Sequence, residues 1–155
     1  MNKKYLLPLI LVILFSCTQK KTAPRIDYYR TGEVKCVGYD QDIIKLIATA
    51  RATTIAVGSN YAERNAMENL LFKGIPNSNQ ETPFIENELE SLGRNKRFYE
   101  LFLIQRDYEK FIIESSVSSN SGNFNSYIVD QYIEIDLQGM RKHLENKKVI
   151  RKFGL

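Results

Sequence analysis

Two stretches of β-type residues open the part of the chain that we expect to fold. Residues 33–39, EVKCVGY, predict a strand because polar and apolar side chains nearly alternate. Residues 43–57 contain three threonines and end in β-branched residues, which favours a second strand. The second stretch also fits a helix, because Ile43, Ile47 and Ala50 fall near one helical face. We assign it as a strand.

The clearest alternation lies in the second half of the chain and predicts a β-hairpin. Tyr108–Val117 and Tyr127–Asp136 both have the pattern of strands with one buried and one solvated face. Residues 118–123 between them are serine, asparagine and glycine, which is typical of a turn. The residues expected on the buried face are Phe111, Ile113 and Val117 in the first strand and Tyr127, Val129, Ile133 and Ile135 in the second.

A helical period separates these two pairs of strands. It predicts a helix over residues 61–72, with Ser59 or Asn60 as the N-cap and Glu63 completing a capping box. Gly74 is expected to end this helix. The apolar stripe consists of Ala62, Ala66 and Leu70, widened by Met67 and Leu71.

Further helices are predicted on both sides of the hairpin. Residues 85–92 and 94–103 each have the pattern of a short helix, and Asp136 is expected to cap a last helix over Leu137–Asn146. Residues 149–153 fit either a short edge strand or a packed tail. This order of elements predicts an α+β domain with two layers, in which an antiparallel sheet of about four strands carries helices on one face.

The first 16 residues differ from the rest of the chain. Lys3 and Lys4 precede an almost wholly apolar run over residues 5–15, and a membrane-spanning helix needs roughly 20 apolar residues. A basic leader, a short apolar centre and a small residue before the cleavage point are typical of a secretory signal peptide. Ser16 is that small residue, so we expect residues 1–16 to be removed.

Residues 14–17, LFSC, resemble the lipobox of bacterial lipoproteins, although Phe15 stands where that family usually has a smaller residue. The resemblance implies cleavage between Ser16 and Cys17, a diacylglyceryl group on the Cys17 sulfur, and acylation of the new amino terminus. Two or more acyl chains anchor a protein stably without a transmembrane helix. By the same resemblance, Thr18 favours the outer membrane over the inner membrane. The tether has no acidic run, which favours the periplasmic face over the cell surface.

This assignment divides the chain into a signal peptide (1–16), a lipidated cysteine with its tether (17–30) and one α+β domain (31–155). Removing residues 1–16 takes away two of the 22 basic residues and none of the 18 acidic ones. The remaining 139 residues suit a single domain. Their nearly balanced charge gives no dense basic patch, so we expect no nucleic acid as a partner.

A second, fainter resemblance concerns the fold. Residues 34–39 and 62–74 are similar to the amino-terminal domains of flagellar-assembly and Tol-type envelope proteins and of their small lipoprotein relatives. The shared features are a strand ending near a glycine, an alanine-patterned helix, a later hairpin and a closing helix. None of these residues is a catalytic signature, so the resemblance carries no function by itself.

Few residues are candidates for catalysis or metal binding. Cys36 is left without a partner if Cys17 is lipidated, and we expect it to be a small buried hydrophobe in a strand. His143, the only histidine, is expected to be solvated near a helix C-terminus, where neighbouring cations disfavour its protonation. Glu86, Glu88 and Glu90 alternate without a calcium-loop pattern and are expected to form a solvated face. We therefore expect no cofactor.

Two hypotheses for function follow. The first is a non-catalytic binding or assembly module for another envelope component, either a protein or peptidoglycan. The alternative is a hydrolase of a cell-envelope polymer, because paired carboxylates serve glycoside hydrolysis. Asp130, Glu134 and Asp136 share one strand face and are the candidate carboxylates. A cleft that joins them would favour the hydrolase, whereas a bare sheet face would favour binding.

Overall fold

The computed structural model describes Tyr28, Arg30 and residues 32–152. Its framework is a four-stranded antiparallel sheet in the order β1-β2-β4-β3. The strands are β1 (Val34–Tyr39), β2 (Ile43–Ala52), β3 (Ile112–Asn123) and β4 (Ser126–Asp136). The α-helices are α1 (Ile55–Phe72), α2 (Glu88–Arg94), α3 (Lys96–Tyr99) and α4 (Leu137–Asn146). The predicted α+β class and its antiparallel sheet are confirmed.

The alternating residues of β2 and β4 decide which face of the sheet is covered. Every second residue from Ile44 to Ala52 is buried, and so is every second residue from Val129 to Ile135. Helix α1 packs across both strands and covers this face. The intervening side chains of both strands are half-buried or exposed on the other face, which we call the outer face.

The core fills the space between the sheet and the helices. The predicted alanine stripe of α1 is fully buried, and small side chains there allow the helix axis to lie close to the sheet. Helix α4 begins where β4 ends, and the Asp136 side chain caps it by accepting from the Gly139 amide at 2.8 Å, as predicted. The buried residues of α4 are Leu137, Met140 and Leu144.

Helix α1 begins six residues earlier than predicted, so the predicted capping box is wrong. Thr54 is the N-cap, and its hydroxyl accepts from the Val57 amide at 3.2 Å. Gly58 lies inside the helix. A glycine is required there because a Cβ would come within 2.5 Å of a Val129 methyl carbon. A turn-like sequence therefore marks a close helix–sheet contact. The predicted stop is confirmed, since Gly74 has a φ of 78° and donates to the Asn69 carbonyl.

The predicted hairpin forms, but its turn is shifted. Strand β3 continues through the serines to Asn123, and a two-residue turn of Phe124 and Asn125 joins it to β4. The expectation that Ile113 and Val117 face the core is also wrong, because both side chains are largely exposed. Two register shifts in β3 break the simple alternation on which that prediction rested.

The remaining segments only partly follow the sequence pattern. Residues predicted as one helix over 94–103 form α3 and then a π-helical turn, Glu100–Ile104. A 3-10 helix, Asp107–Phe111, replaces the predicted start of β3. After α4 the chain packs as a tail: Val149 and Ile150 are half-buried against the core, and no strand forms in the described residues there.

Candidate functional site

Asp130, the first carboxylate singled out from the sequence, lies at the centre of the outer face. The Thr49 hydroxyl on β2 donates to its Oδ1 at 2.7 Å, and the Ser119 hydroxyl on β3 donates to its Oδ2 at 2.7 Å. These two hydrogen bonds, first from Ser119 and then from Thr49, lower the pKa of Asp130. The carboxylate therefore links three strands and is held in its ionised form.

Glu134, the second predicted carboxylate, lies on the same face. The Tyr132 hydroxyl donates a short hydrogen bond to it, and Lys45 Nζ on β2 lies 2.9 Å from its Oε1. The hydrogen bond from Tyr132 and then that from Lys45 lower the pKa of Glu134. As at Asp130, the lowered pKa reduces the protonated fraction of Glu134, so this carboxyl is less available as a general acid than an ordinary one.

The three predicted carboxylates are not brought together. Asp136 caps α4, and Asp130 and Glu134 lie four positions apart on one strand, a span of about 13 Å at 3.3 Å per residue. The catalytic pair of a glycosidase is separated by about 5–9.5 Å. Cross-strand neighbours of Glu134 are closer: Glu114 on β3 is its register partner.

His143 lies in a cleft of about 530 Å³ beside the π-helical turn. The prediction that it is solvated is wrong, since its ring packs against Phe98, Phe102 and Phe111 with centroid distances of 5.3–6.2 Å. Burial and then Lys110 lower the pKa of His143, in the predicted direction. The cleft is lined by Arg97, Phe98, Leu101, Gln105, Asp107, Lys110, His143 and Lys147.

This cleft brings no nucleophile to the histidine. Its nearest acid is Asp107, whose Oδ2 lies 3.6 Å from His143 Nε2, too far for a hydrogen bond. Cys36, the cysteine of the domain, is half-buried in β1, and its thiol donates to the Gly38 carbonyl at 3.4 Å. Cys36 packs against the core as the sequence suggested.

Two buried carboxylates on α1 were missed by sequence reasoning. Glu68 is 1% exposed and accepts from the Tyr28 hydroxyl at 2.8 Å, Arg30 Nε at 2.5 Å and Arg64 Nε at 2.9 Å. Arg30 also pairs with Glu88 and stacks over the Phe72 ring at 5.1 Å. Tyr28 and Arg30, which we placed in the tether, thus contact the domain. Only the i,i+4 spacing of Arg64 and Glu68 hinted at this cluster.

Glu63 forms the second buried cluster. Its carboxylate accepts from Arg106 Nη2 at 2.6 Å and from the Ser115 hydroxyl at 2.6 Å, and Gln131 Nε2 donates to that hydroxyl at 2.7 Å. Arg106 adopts a left-handed conformation with φ 61°, which a non-glycine residue rarely does. This network joins α1 to β3 and β4. The Glu63 carboxylate is fully paired, which is typical of a structural role, whereas Gln131 Oε1 and Arg106 Nε are buried without a hydrogen-bond partner among the described residues.

The outer strand of the hairpin, β3, is almost entirely uncovered. Eleven of the 12 residues of β3 are exposed, and β3 pairs only with β4 among the described residues. Phe124 at the turn is 88% exposed. Val117 on β3 and Ile128 on β4 are further exposed apolar side chains of the hairpin. A long uncovered strand at a sheet edge offers unpaired backbone groups to another chain.

No metal site is formed by the residues that the structure describes, since no three of their histidines, cysteines and acids cluster suitably. Glu88 and Glu90, expected on a solvated face, pair with Arg30 and Arg94. None of the helices among residues 32–152 is long and apolar enough to span a membrane. The predicted cleavage and lipidation residues, Ser16 and Cys17, lie outside the described residues.

Comparison with known proteins gives no further constraint. No protein-family model, no curated protein and no solved structure matches this chain.

Proposed function

We propose that this chain is a bacterial lipoprotein that acts by binding another protein of the cell envelope, without catalysis. In this proposal it is anchored in the outer membrane by lipid on Cys17 and faces the periplasm. The basic leader, the short apolar run and the LFSC sequence at residues 14–17 support the anchoring. Lipid chains supply membrane attachment where no spanning helix does.

The observation that carries the binding role is the uncovered edge of β3. Proteins usually protect such an edge by shortening it, by β-bulges, or by placing lysine or proline on it, since an unprotected edge pairs with other chains. Strand β3 is 12 residues long and contains neither residue type, and its two register shifts leave residues 114–117 and 119–123 regularly paired with β4. Its adjoining turn exposes Phe124, and aromatic side chains are enriched in interfaces. We infer that the edge is exposed because a partner uses it.

The attachment of the tether supports a role close to the membrane. Tyr28 and Arg30 hold the chain on α1 through Glu68, and Cys17 precedes Tyr28 by 11 residues. A fully extended segment of that length spans about 40 Å. The domain would therefore stay within about 40 Å of the lipid surface, which limits its partners to proteins near that membrane.

The alternative, hydrolysis by the strand carboxylates, has weaker support. A glycosidase needs one carboxyl group with a raised pKa as its acid. Hydrogen bonds lower the pKa of both Asp130 and Glu134, and the two lie about 13 Å apart along β4. These features fit a structural role for both groups on the outer face.

The anchoring is tested by expressing the full chain, Cys17→Ala and Cys36→Ala in a Gram-negative host. We expect the wild type and Cys36→Ala to lose residues 1–16, gain lipid mass and fractionate with the outer membrane. Cys17→Ala should do none of these. Cys36→Ala is the matched control because it removes the other cysteine. Equal masses without lipid in all three proteins would contradict the anchoring.

The binding role is tested in the same cells with a photo-crosslinking amino acid at Ser119 on β3 or at Leu89 on α2. Both positions are exposed, but only Ser119 lies on the free edge. We expect a discrete protein adduct from Ser119 and none from Leu89. Adducts to peptidoglycan, or equal adducts from both positions, would contradict binding of a protein by β3.

A further inference from the structure

The charges that cross the outer face form a row that is incomplete at the free edge. Lys45 on β2, Glu134 on β4 and Glu114 on β3 are register partners on adjacent strands. Lys45 and Glu134 form an ion pair of 2.9 Å. Glu134 therefore has a cation on one side and a second carboxylate, Glu114, on the other.

Glu114 is the one residue in this row that forms no ion pair, and the cation of the row, Lys45, acts on it only from across β4. Like charges on directly opposite residues of an antiparallel pair are destabilising. Glu114 is exposed, and it forms no ion pair with any residue that the structure describes. Beyond it lies the free edge of β3. A cation can reach Glu114 from a cross-strand position only if a further strand pairs with this edge.

The rest of β3 would tolerate such a strand. The register shifts leave two regular runs, residues 114–117 and 119–123, in which β3 pairs continuously with β4. The side chains of the second run are serine, asparagine and glycine, which are small and uncharged. Extended peptides add to sheet edges through backbone hydrogen bonds, and the adjoining side chains provide the specificity.

We propose that the free edge of β3 binds an extended segment of another envelope protein, and that this segment places a lysine or arginine side chain beside Glu114. This inference rests on the proposed binding role and specifies the chemistry of the partner. The added strand would complete the row as cation, carboxylate, carboxylate, cation. A second copy of β3 does not satisfy this requirement, because the strand contains no basic residue.

The test uses the mature, lipidated protein in detergent and two synthetic peptides. Both peptides have nine residues that alternate between valine and threonine, with either a central lysine or a central glutamate. We expect the lysine peptide to bind about tenfold more tightly, since attraction is exchanged for repulsion at an exposed site. Amide hydrogen exchange should slow within β3 when the lysine peptide is bound.

Two variants separate the role of Glu114 from that of overall charge. Glu114→Lys should reverse the preference, so that the glutamate peptide binds more tightly. Glu33→Lys makes the same charge change just before β1, at the opposite edge, and should leave the preference unchanged. Both positions are accessible, so each variant is expected to fold, and hydrogen exchange of the core reports whether it does.

Equal affinity for the two peptides, no binding of either, or dimerisation of the protein through β3 would overturn this inference. These outcomes are distinguishable from failure of the proposed function, because crosslinking from Ser119 in cells does not depend on the identity of the charge beside Glu114. A protein adduct from Ser119 without a charge preference would leave the binding role and remove only the proposed partner chemistry.

Discussion

Glu68 on α1 and Asp130 on β4 each accept hydrogen bonds from several side chains, but they lie in opposite layers of the molecule. Glu68 is 1% exposed and has two arginines and a tyrosine as donors. Asp130 lies on the outer face and has two neutral hydroxyl groups as donors. A carboxylate removed from water requires compensating charge, whereas one that keeps its contact with water does not.

This difference separates the layer whose buried charges stabilise the fold from the face whose polar groups are accessible to a partner. The helix layer contains the buried carboxylates Glu63 and Glu68, each paired with an arginine that is distant in the chain. The outer face and the edge of β3 carry polar groups that water or another chain can reach. We therefore expect substitutions in the helix layer to change stability and substitutions on β3 to change binding.

The strongest test of this comparison is Glu68→Ala. We expect it to destabilise the fold by about 3 kcal/mol, because it leaves Arg30 and Arg64 without the carboxylate that pairs with both. Urea denaturation measures the change. The control is Glu100→Ala, which breaks the exposed Arg97–Glu100 pair and should cost less than about 0.5 kcal/mol. Similar losses in both variants would contradict the contrast between buried and exposed carboxylates.

A matched pair of glycines tests how tightly the helix layer packs on the sheet. Gly58→Ala should destabilise by about 1 kcal/mol or more, because the new Cβ meets Val129 and outweighs the gain in helix propensity. Gly93→Ala in α2 has no atom within 4 Å of the new Cβ and should stabilise by about 0.5–1 kcal/mol. Thermal unfolding of both variants gives the two signs. Stabilisation by Gly58→Ala would show that the contact is loose.

His143 tests the burial of a titratable group on the helix side. Burial, Lys110 and Lys147 lower its pKa, while Asp107 opposes them. The folded state thus favours the neutral ring, so stability should fall as the pH drops below the ordinary histidine value of about 6.5. NMR titration of the only histidine should give a midpoint below that value. His143→Phe should remove this part of the pH dependence, and an unchanged profile would contradict the assignment.

Asp130 should give the smallest effect, with the same sign. Because hydrogen bonds from Ser119 and Thr49 lower its pKa, its contribution is present above the ordinary aspartate value of about 3.9 and is lost as the pH falls through the lower folded value. Denaturation at pH values from about 6 to 2 should show a weaker acid dependence in Asp130→Asn than in the wild type. Ser119→Ala should reduce the dependence in part. Identical curves for the wild type and Asp130→Asn would contradict these hydrogen bonds.

Several elements were predictable because their signals are local. The alternation in Tyr127–Asp136 identified the buried face of β4. The bounds of α4 agree with the prediction, since Asp136 caps the helix directly before its first buried residue, Leu137. The start of α1 was not predictable in this way. Gly58, Ser59 and Asn60 have the composition of a cap, and only the position of Val129 on another strand explains the glycine.

The candidate sites also divide into one that a local sequence pattern predicts and others that depend on tertiary contacts. The opening sequence alone gives the prediction of lipidation at Cys17, because a processing signal is a short linear pattern. The partners of Glu63 and Glu68 from other segments lie 38–52 residues away in the chain, and the free edge of β3 depends on the order of the strands. Periodicity determines which face of a strand or helix is buried. Which polar groups are buried, and which edge stays open, is decided only when distant segments pack together.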